Sequence, residues 1–116
     1  MNGTKAWVTN GAVAEDAIVY AVTDPLKGAK GISAFIVEAG FRGWKVVREE
    51  KKMGINATAT AEIALQDCEV PAANLIGAEG IGFRIALRTL DDGRVGIAAQ
   101  ATGIAQGALE DRKSVV

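Results

Sequence analysis

Apolar residues along this chain recur first at every second position and later at every third or fourth, and the change falls in the glycine-bearing stretch 77–82. A period of two belongs to strands with one covered face, and a period near 3.6 belongs to a helix. The pattern predicts a mainly β segment followed by one long helix.

Residues 1–10 read as a strand running into a turn. Strict alternation sets Trp7 and Thr9 on one face, and Ala6 and Val8 on the other. Asn10-Gly11 marks the turn. Residues 17–23 form a second strand, apolar on both faces and therefore expected to be well covered. Asp24-Pro25 ends it, and 27–31 reads as a surface loop. Residues 31–38 and 44–48 are the third and fourth strands, and the polar stretch 49–58 is a loop. Across 59–68, Ala61, Ile63 and Leu65 alternate with Glu62, Ala64 and Gln66, which predicts a half-exposed antiparallel strand.

From about residue 79 to residue 109, apolar side chains keep helical spacing: Phe83, Ala86, Leu87, Leu90, Ile97, Ala101, Ile104, Ala105 and Ala108. Arg94 falls inside this stripe. A guanidinium there is costly unless something pairs with it. Two readings stay open: an internal pair with Asp91, one turn earlier, or a face that Asp91 and Arg94 turn to a ligand or another domain. Gly93, Gly96, Gly103 and Gly107 each weaken a helix by roughly 1 kcal/mol relative to alanine. Such a helix is expected to meet a close neighbour, largely outside this chain. Its remaining apolar surface predicts association into oligomers or poor solubility. The run Glu110-Asp111-Arg112-Lys113 gives a ragged end, with acids opposing the helix dipole and no cap signal.

Composition narrows the chemistry. A net charge of −1 leaves no basic footprint for nucleic acid. The chain has no histidine, and Cys68 is its single cysteine. A Ser-His-Asp triad, a Cys-His pair, an imidazole metal site and a thiolate cluster are thereby excluded within it. No apolar run reaches membrane-spanning length and no secretory signal is read, so the cytoplasm, or the mitochondrial matrix in a eukaryote, is expected.

Few motifs suggest chemistry by spacing alone. Residues 77–82 give G-x-x-G-x-G, which is neither a dinucleotide fingerprint nor a phosphate loop, and read as a flexible connection from strand to helix. Asp91 and Asp92 diverge by about 100° on a helix and cannot face one substrate together. Glu49-Glu50-Lys51-Lys52 reads as a solvated charge run. Trp7 with Thr9 sets an aromatic face beside a hydroxyl. That pair suits a flat heteroaromatic ligand with a hydrogen-bonding edge, or else simple core packing.

Taken in order, several stretches resemble the acyl-CoA dehydrogenase family, and most its short-chain, butyryl-type branch. They are Asn2-Gly3-Thr4-Lys5-Ala6-Trp7-Val8-Thr9-Asn10, Gly31-Ile32-Ser33-Ala34-Phe35-Ile36-Val37, Glu50 to Gly54, Asp67-Cys68-Glu69-Val70-Pro71, Asn74-Leu75-Ile76-Gly77, Gly80-Ile81-Gly82-Phe83 and Thr89-Leu90-Asp91-Asp92-Gly93-Arg94-Val95-Gly96-Ile97-Ala98. The resemblance implies residues 1–77 as part of an antiparallel central β domain, a barrel or sandwich, and 78–116 as the start of a helical C-terminal domain. It implies FAD as cofactor, with Trp7, Val8 and Thr9 as the flavin-contacting strand and the Thr9 hydroxyl near flavin N5. It implies an acyl-CoA substrate touched by Asp91, Asp92, Gly93 and Arg94, an electron-transfer flavoprotein as partner, and a homotetramer. The implied reaction is α,β-dehydrogenation. No catalytic base is assigned in this chain, which reads as an enzyme fragment inactive alone. A non-catalytic β module that binds a partner chain, or completes an enzyme in trans, is the alternative. Asn56 stands where the family usually has arginine, and residues 111–116 depart from the family pattern.

Overall fold

The computed structural model describes residues 1–113. In chain order the elements are β1 (Gly3–Thr9), β2 (Asp16–Val22), β3 (Ile32–Glu38), β4 (Trp44–Glu49), β5 (Thr60–Leu65) and α1 (Gly82–Lys113). All strand pairs are antiparallel. One sheet runs β1-β5-β4, and β2 pairs with β3 in the other. The expected class, antiparallel β followed by one long helix, is the class observed. The chain divides into a β unit, Met1–Phe83, and a helical unit that begins at Arg84. The expected segment 78–116 ends in residues 114–116, which lie outside the described residues.

β5 is the middle strand of its sheet because its alternation supplies one wholly apolar face. Ala61 and Ile63 are fully buried and Leu65 nearly so, while Glu62 and Ala64 are half-exposed. Val19, Val37, Leu65 and Cys68 form the core, with Phe35, Phe41 and Trp44 packed against it. Each fully buried aliphatic side chain there contributes about 1.5–3 kcal/mol. The start of β1 is clasped to the end of β5: the Asn2 side-chain amide donates to Asp67 (3.0 Å), and the Asp67 backbone N–H donates back to Asn2 (2.6 Å).

The second strand is not covered as its composition predicts. Val19 is its one buried residue, whereas Ile18 and Val22 stand exposed, and Ile18 lies opposite the exposed Ile36 of β3. Alternation cannot tell a face covered within the chain from one left for a neighbour. The stretch after β2 is also more ordered than a loop: Pro25–Gly31 forms two 3-10 turns kinked at Gly28, with the Asp24 carboxylate accepting from the Leu26 N–H.

The connection to α1 is pinned rather than flexible. The fully buried Ser33 hydroxyl accepts from the Gly80 N–H (2.9 Å) and shares a hydrogen bond with Thr23 Oγ1 (2.8 Å). A Cβ on Gly82 would stand 2.5 Å from the Ser33 carbonyl carbon, so glycine here permits close approach of two backbones. α1 itself runs to Lys113, past the expected end near residue 109, which puts Arg112 and Lys113 in its last turn, where cations suit the dipole. From Leu87 onward its described residues are exposed. A Cβ on Gly93, Gly96, Gly103 or Gly107 would meet nothing within 4 Å.

Candidate functional site

β1 is not a regular strand. Lys5 lies opposite Ile63 and Val8 opposite Ala61, so Ala6 and Trp7 together face the single residue Glu62. This two-against-one bulge corrects the strict alternation expected of the strand. Lys5 and Val8 share the face of buried Ile63 and Ala61, and Ala6 joins Trp7 rather than Val8. Thr9, opposite Thr60, stays on the same side of the ladder as Trp7. A bulge leaves its extra residue unpaired and bends the strand. Trp7 takes that place with φ of 58°, a left-handed conformation uncommon for a bulky residue. Three residues on, Asn10 is also left-handed (φ of 57°) and Gly11 N–H donates to the Val8 carbonyl (3.1 Å), which forms the expected turn.

The opposite flank of β5 is irregular at the same level. Val46 faces Ile63 and Arg48 faces Glu62, which leaves Val47 as the extra residue of β4. Arg48 ties Glu62 (2.7 Å) and Glu50 (3.0 Å) together. Its guanidinium pKa is raised, chiefly by the hydrogen bond to Glu50 and then by the charges of Glu50 and Glu62.

Trp7 is 67% exposed, so the ring is not core packing within this chain. With Lys5, Val8, Tyr20 and Trp44 it lines a cleft of about 250 Å3 between β1 and β2. Thr9 lies outside that cleft, exposed, and its hydroxyl has no hydrogen-bond partner among the described residues. An exposed aromatic face and an unengaged hydroxyl two residues apart fit one side of a flat ligand with a polar edge, which is what a flavin presents.

On α1, Leu90, Gly93, Arg94, Ile97 and Ala101 line one shallow groove, mostly apolar, with Arg94 and Thr89 as its polar residues. Asp91 and Asp92 lie outside it, so of the four expected residues the structure gathers two here. Arg94 reaches Asp91 at 3.4 Å, with side chains 77% and 71% exposed. An exposed pair this long contributes little. Residue spacing missed Ser33 entirely. A small polar residue inside an apolar strand is the only trace it leaves in the sequence.

The family model for the acyl-CoA dehydrogenase middle domain matches residues 1–68. The short-chain-specific acyl-CoA dehydrogenase of Clostridium acetobutylicum is 52% identical over 98% of this chain and 30% of its own length. The structure of butyryl-CoA dehydrogenase from Megasphaera elsdenii superposes with a TM-score of 0.90 at 53% identity, covering 95% of this chain and 29% of that one. A chain in the structure of the electron transferring flavoprotein of Acidaminococcus fermentans gives 0.89 at 54% identity, over 93% and 28%. The chain thus spans about 30% of the length of the curated relative from Clostridium. Residues 1–68 match the middle domain of this type, and the chain belongs to the acyl-CoA dehydrogenase family.

Proposed function

We propose that this chain forms part of an FAD-dependent dehydrogenase that acts on a short-chain acyl-CoA and passes its electrons to an electron-transfer flavoprotein. The observation that carries this reading is the β1 bulge, which holds the Trp7 ring out of the core while Thr9 keeps a free hydroxyl. Trp7 would pack beside the flavin ring system, Val8 anchors the strand on its inner face, and Thr9 would offer its hydroxyl to the flavin edge near N5. FAD bound there supplies the hydride acceptor for the β-hydrogen of the thioester.

The α-proton needs a carboxylate within about 3 Å in a water-poor site. We assign no such base in this chain. Gly93 stands where some branches of the family hold a glutamate, and Asp92 is turned about 100° from that position. Arg94 and Gly93 shape the acyl-CoA side of α1, with Asp91 and Asp92 beside them. In this reading residues 1–77 belong to the middle domain and 78–116 open the helical domain of a homotetramer. The exposed Ile18 and Val22 also favour a second reading, a non-catalytic module that docks on a partner chain.

The test is to assay the purified chain with FAD, butyryl-CoA and an artificial electron acceptor. No turnover is expected. Turnover that disappears on Asp92→Asn would place the base here and overturn the reading of an incomplete enzyme.

A further inference from the structure

Between β1 and β2 run two adjoining clefts, one of about 400 Å3 and one of about 250 Å3. Both strands have a free edge along them, since β1 pairs only with β5 and β2 only with β3. Lys5 lines both clefts, and its ammonium crosses the gap to donate to the Tyr20 carbonyl at 2.8 Å. This is the one hydrogen bond joining β1 to β2 among the described residues. The topology explains why that carbonyl is free. Ala34, opposite Tyr20, gives its own carbonyl to the Ile76 N–H on the far side of β3. Residues opposite each other in an antiparallel ladder both point their polar groups inward or both outward. Tyr20 therefore offers its carbonyl at the outer edge of β2, where no strand takes it.

We propose that Lys5 is a positioning residue that fixes where the β1 bulge sits and so where Trp7 is presented. Lys5 is the last paired residue before the bulge, and Val8 is the first after it. A bulge disrupts the ladder locally, so contacts that anchor its flanks help to hold it in register beside the apolar pattern. On the far flank the ladder resumes at Val8 and Thr9, and the Asn10 N–H adds a hydrogen bond to Ala59. On the near flank the ladder holds Gly3, Thr4 and Lys5, the Asn2–Asp67 pair clasps its start, and the Lys5 ammonium adds the anchor directly beside the bulge. Without it the bulge can migrate by one residue and turn a different side chain to the Trp7 position. The inference rests on the flavin reading for its purpose, but the anchoring itself is a property of this chain without any ligand.

The experiment uses the chain labelled with 5-fluorotryptophan and observed by 19F NMR, together with amide exchange over β1. Two resonances are expected, and the Trp7→Phe variant identifies the one from Trp7. Lys5→Met keeps the length of the stem and removes the donor. It should shift or split the Trp7 resonance and speed exchange of the β1 amides on the order of tenfold or more, the loss of one charge-assisted hydrogen bond. The Trp44 resonance and the exchange of α1 amides should not change. Lys5→Arg, which can still reach the carbonyl, should restore both wild-type signals. An unshifted Trp7 resonance with unchanged exchange in Lys5→Met overturns the proposal. If Lys5→Met fails to fold, Lys5→Gln takes its place, and a folded, unshifted Lys5→Gln overturns it equally. Failure of the flavin reading leaves these signals untouched, because no flavin is added.

Discussion

Trp7 lies opposite Glu62 at a two-against-one bulge, with its backbone left-handed at φ of 58° and its side chain largely in solvent. A non-glycine residue in that region costs roughly 1–2 kcal/mol. The ring returns little of this within the chain, because most of it stays wet. Strain kept where it does not stabilise the fold points to a use.

Stability should separate the two roles. Ile63→Ala, at a fully buried position, is expected to cost about 2–5 kcal/mol. Trp7→Gly removes the ring but relieves the backbone, so it should stay within about 1 kcal/mol of wild type. Urea titrations of the chain measure both. A Trp7→Gly loss as large as that of Ile63→Ala would make the ring a structural residue.

Thr9→Val should leave the stability of the chain unchanged, since its hydroxyl has no partner to lose. In a flavin complex the same change is expected to remove the proposed hydrogen bond to the flavin edge, worth roughly 0.5–1.5 kcal/mol. Thermal melts of the chain and flavin reduction rates in a completed enzyme give the two halves of this prediction.

The helix glycines make opposite predictions in two settings. In this chain the Cβ of Gly93→Ala or Gly96→Ala meets nothing, so each should raise helix stability by about 1 kcal/mol. Circular dichroism during thermal melting reads the effect. By contrast, a Cβ at Gly31 would stand 1.7 Å from the Asp24 carbonyl oxygen, and Gly31→Ala should destabilise the β unit by about 3 kcal/mol or more. In an assembled enzyme with a second helix against α1, the gain at Gly93 should vanish.

Arg48 gives a pH prediction with a definite sign. Its folded pKa is raised, first by the hydrogen bond to Glu50, so its contribution is complete below the ordinary guanidinium range and is lost only as pH rises through the raised value. No alkaline step in stability from this group is expected near neutral pH. An Arg48→Met variant whose stability difference from wild type shrinks between neutral and mildly alkaline pH would contradict that assignment.

Much of the fold is visible in local patterns, and the exceptions share a cause. Ala61, Ile63 and Leu65 announce a half-buried strand because burial there is set by one face of one strand. Asn10-Gly11 announces its turn because the left-handed backbone is a local preference. The bulge at Ala6 and Trp7 is not visible, since it exists only in the register against β5. The same holds for Gly80 and Gly82, which look like loose punctuation until β3 is placed against them. Ile18 and Val22 look like core for the opposite reason: an apolar strand face reads alike whether this chain or another covers it. That Trp7 and Thr9 share one side of β1 is legible from spacing, whereas the role of Lys5 is not, because its partner is a backbone carbonyl on another sheet.

The bulged strand from Trp7 to Thr9 is proposed as a flavin-contacting surface. The direct measurement replaces the matching segment of the Megasphaera elsdenii butyryl-CoA dehydrogenase, 53% identical to this chain, with residues 1–109 and records the absorbance spectrum of the purified chimera. The expected result is a folded chimera that retains FAD, is bleached by butyryl-CoA, and loses flavin on Trp7→Gly and reduction rate on Thr9→Val. A folded chimera with its flavin band and reduction rate unaltered by both substitutions would contradict it.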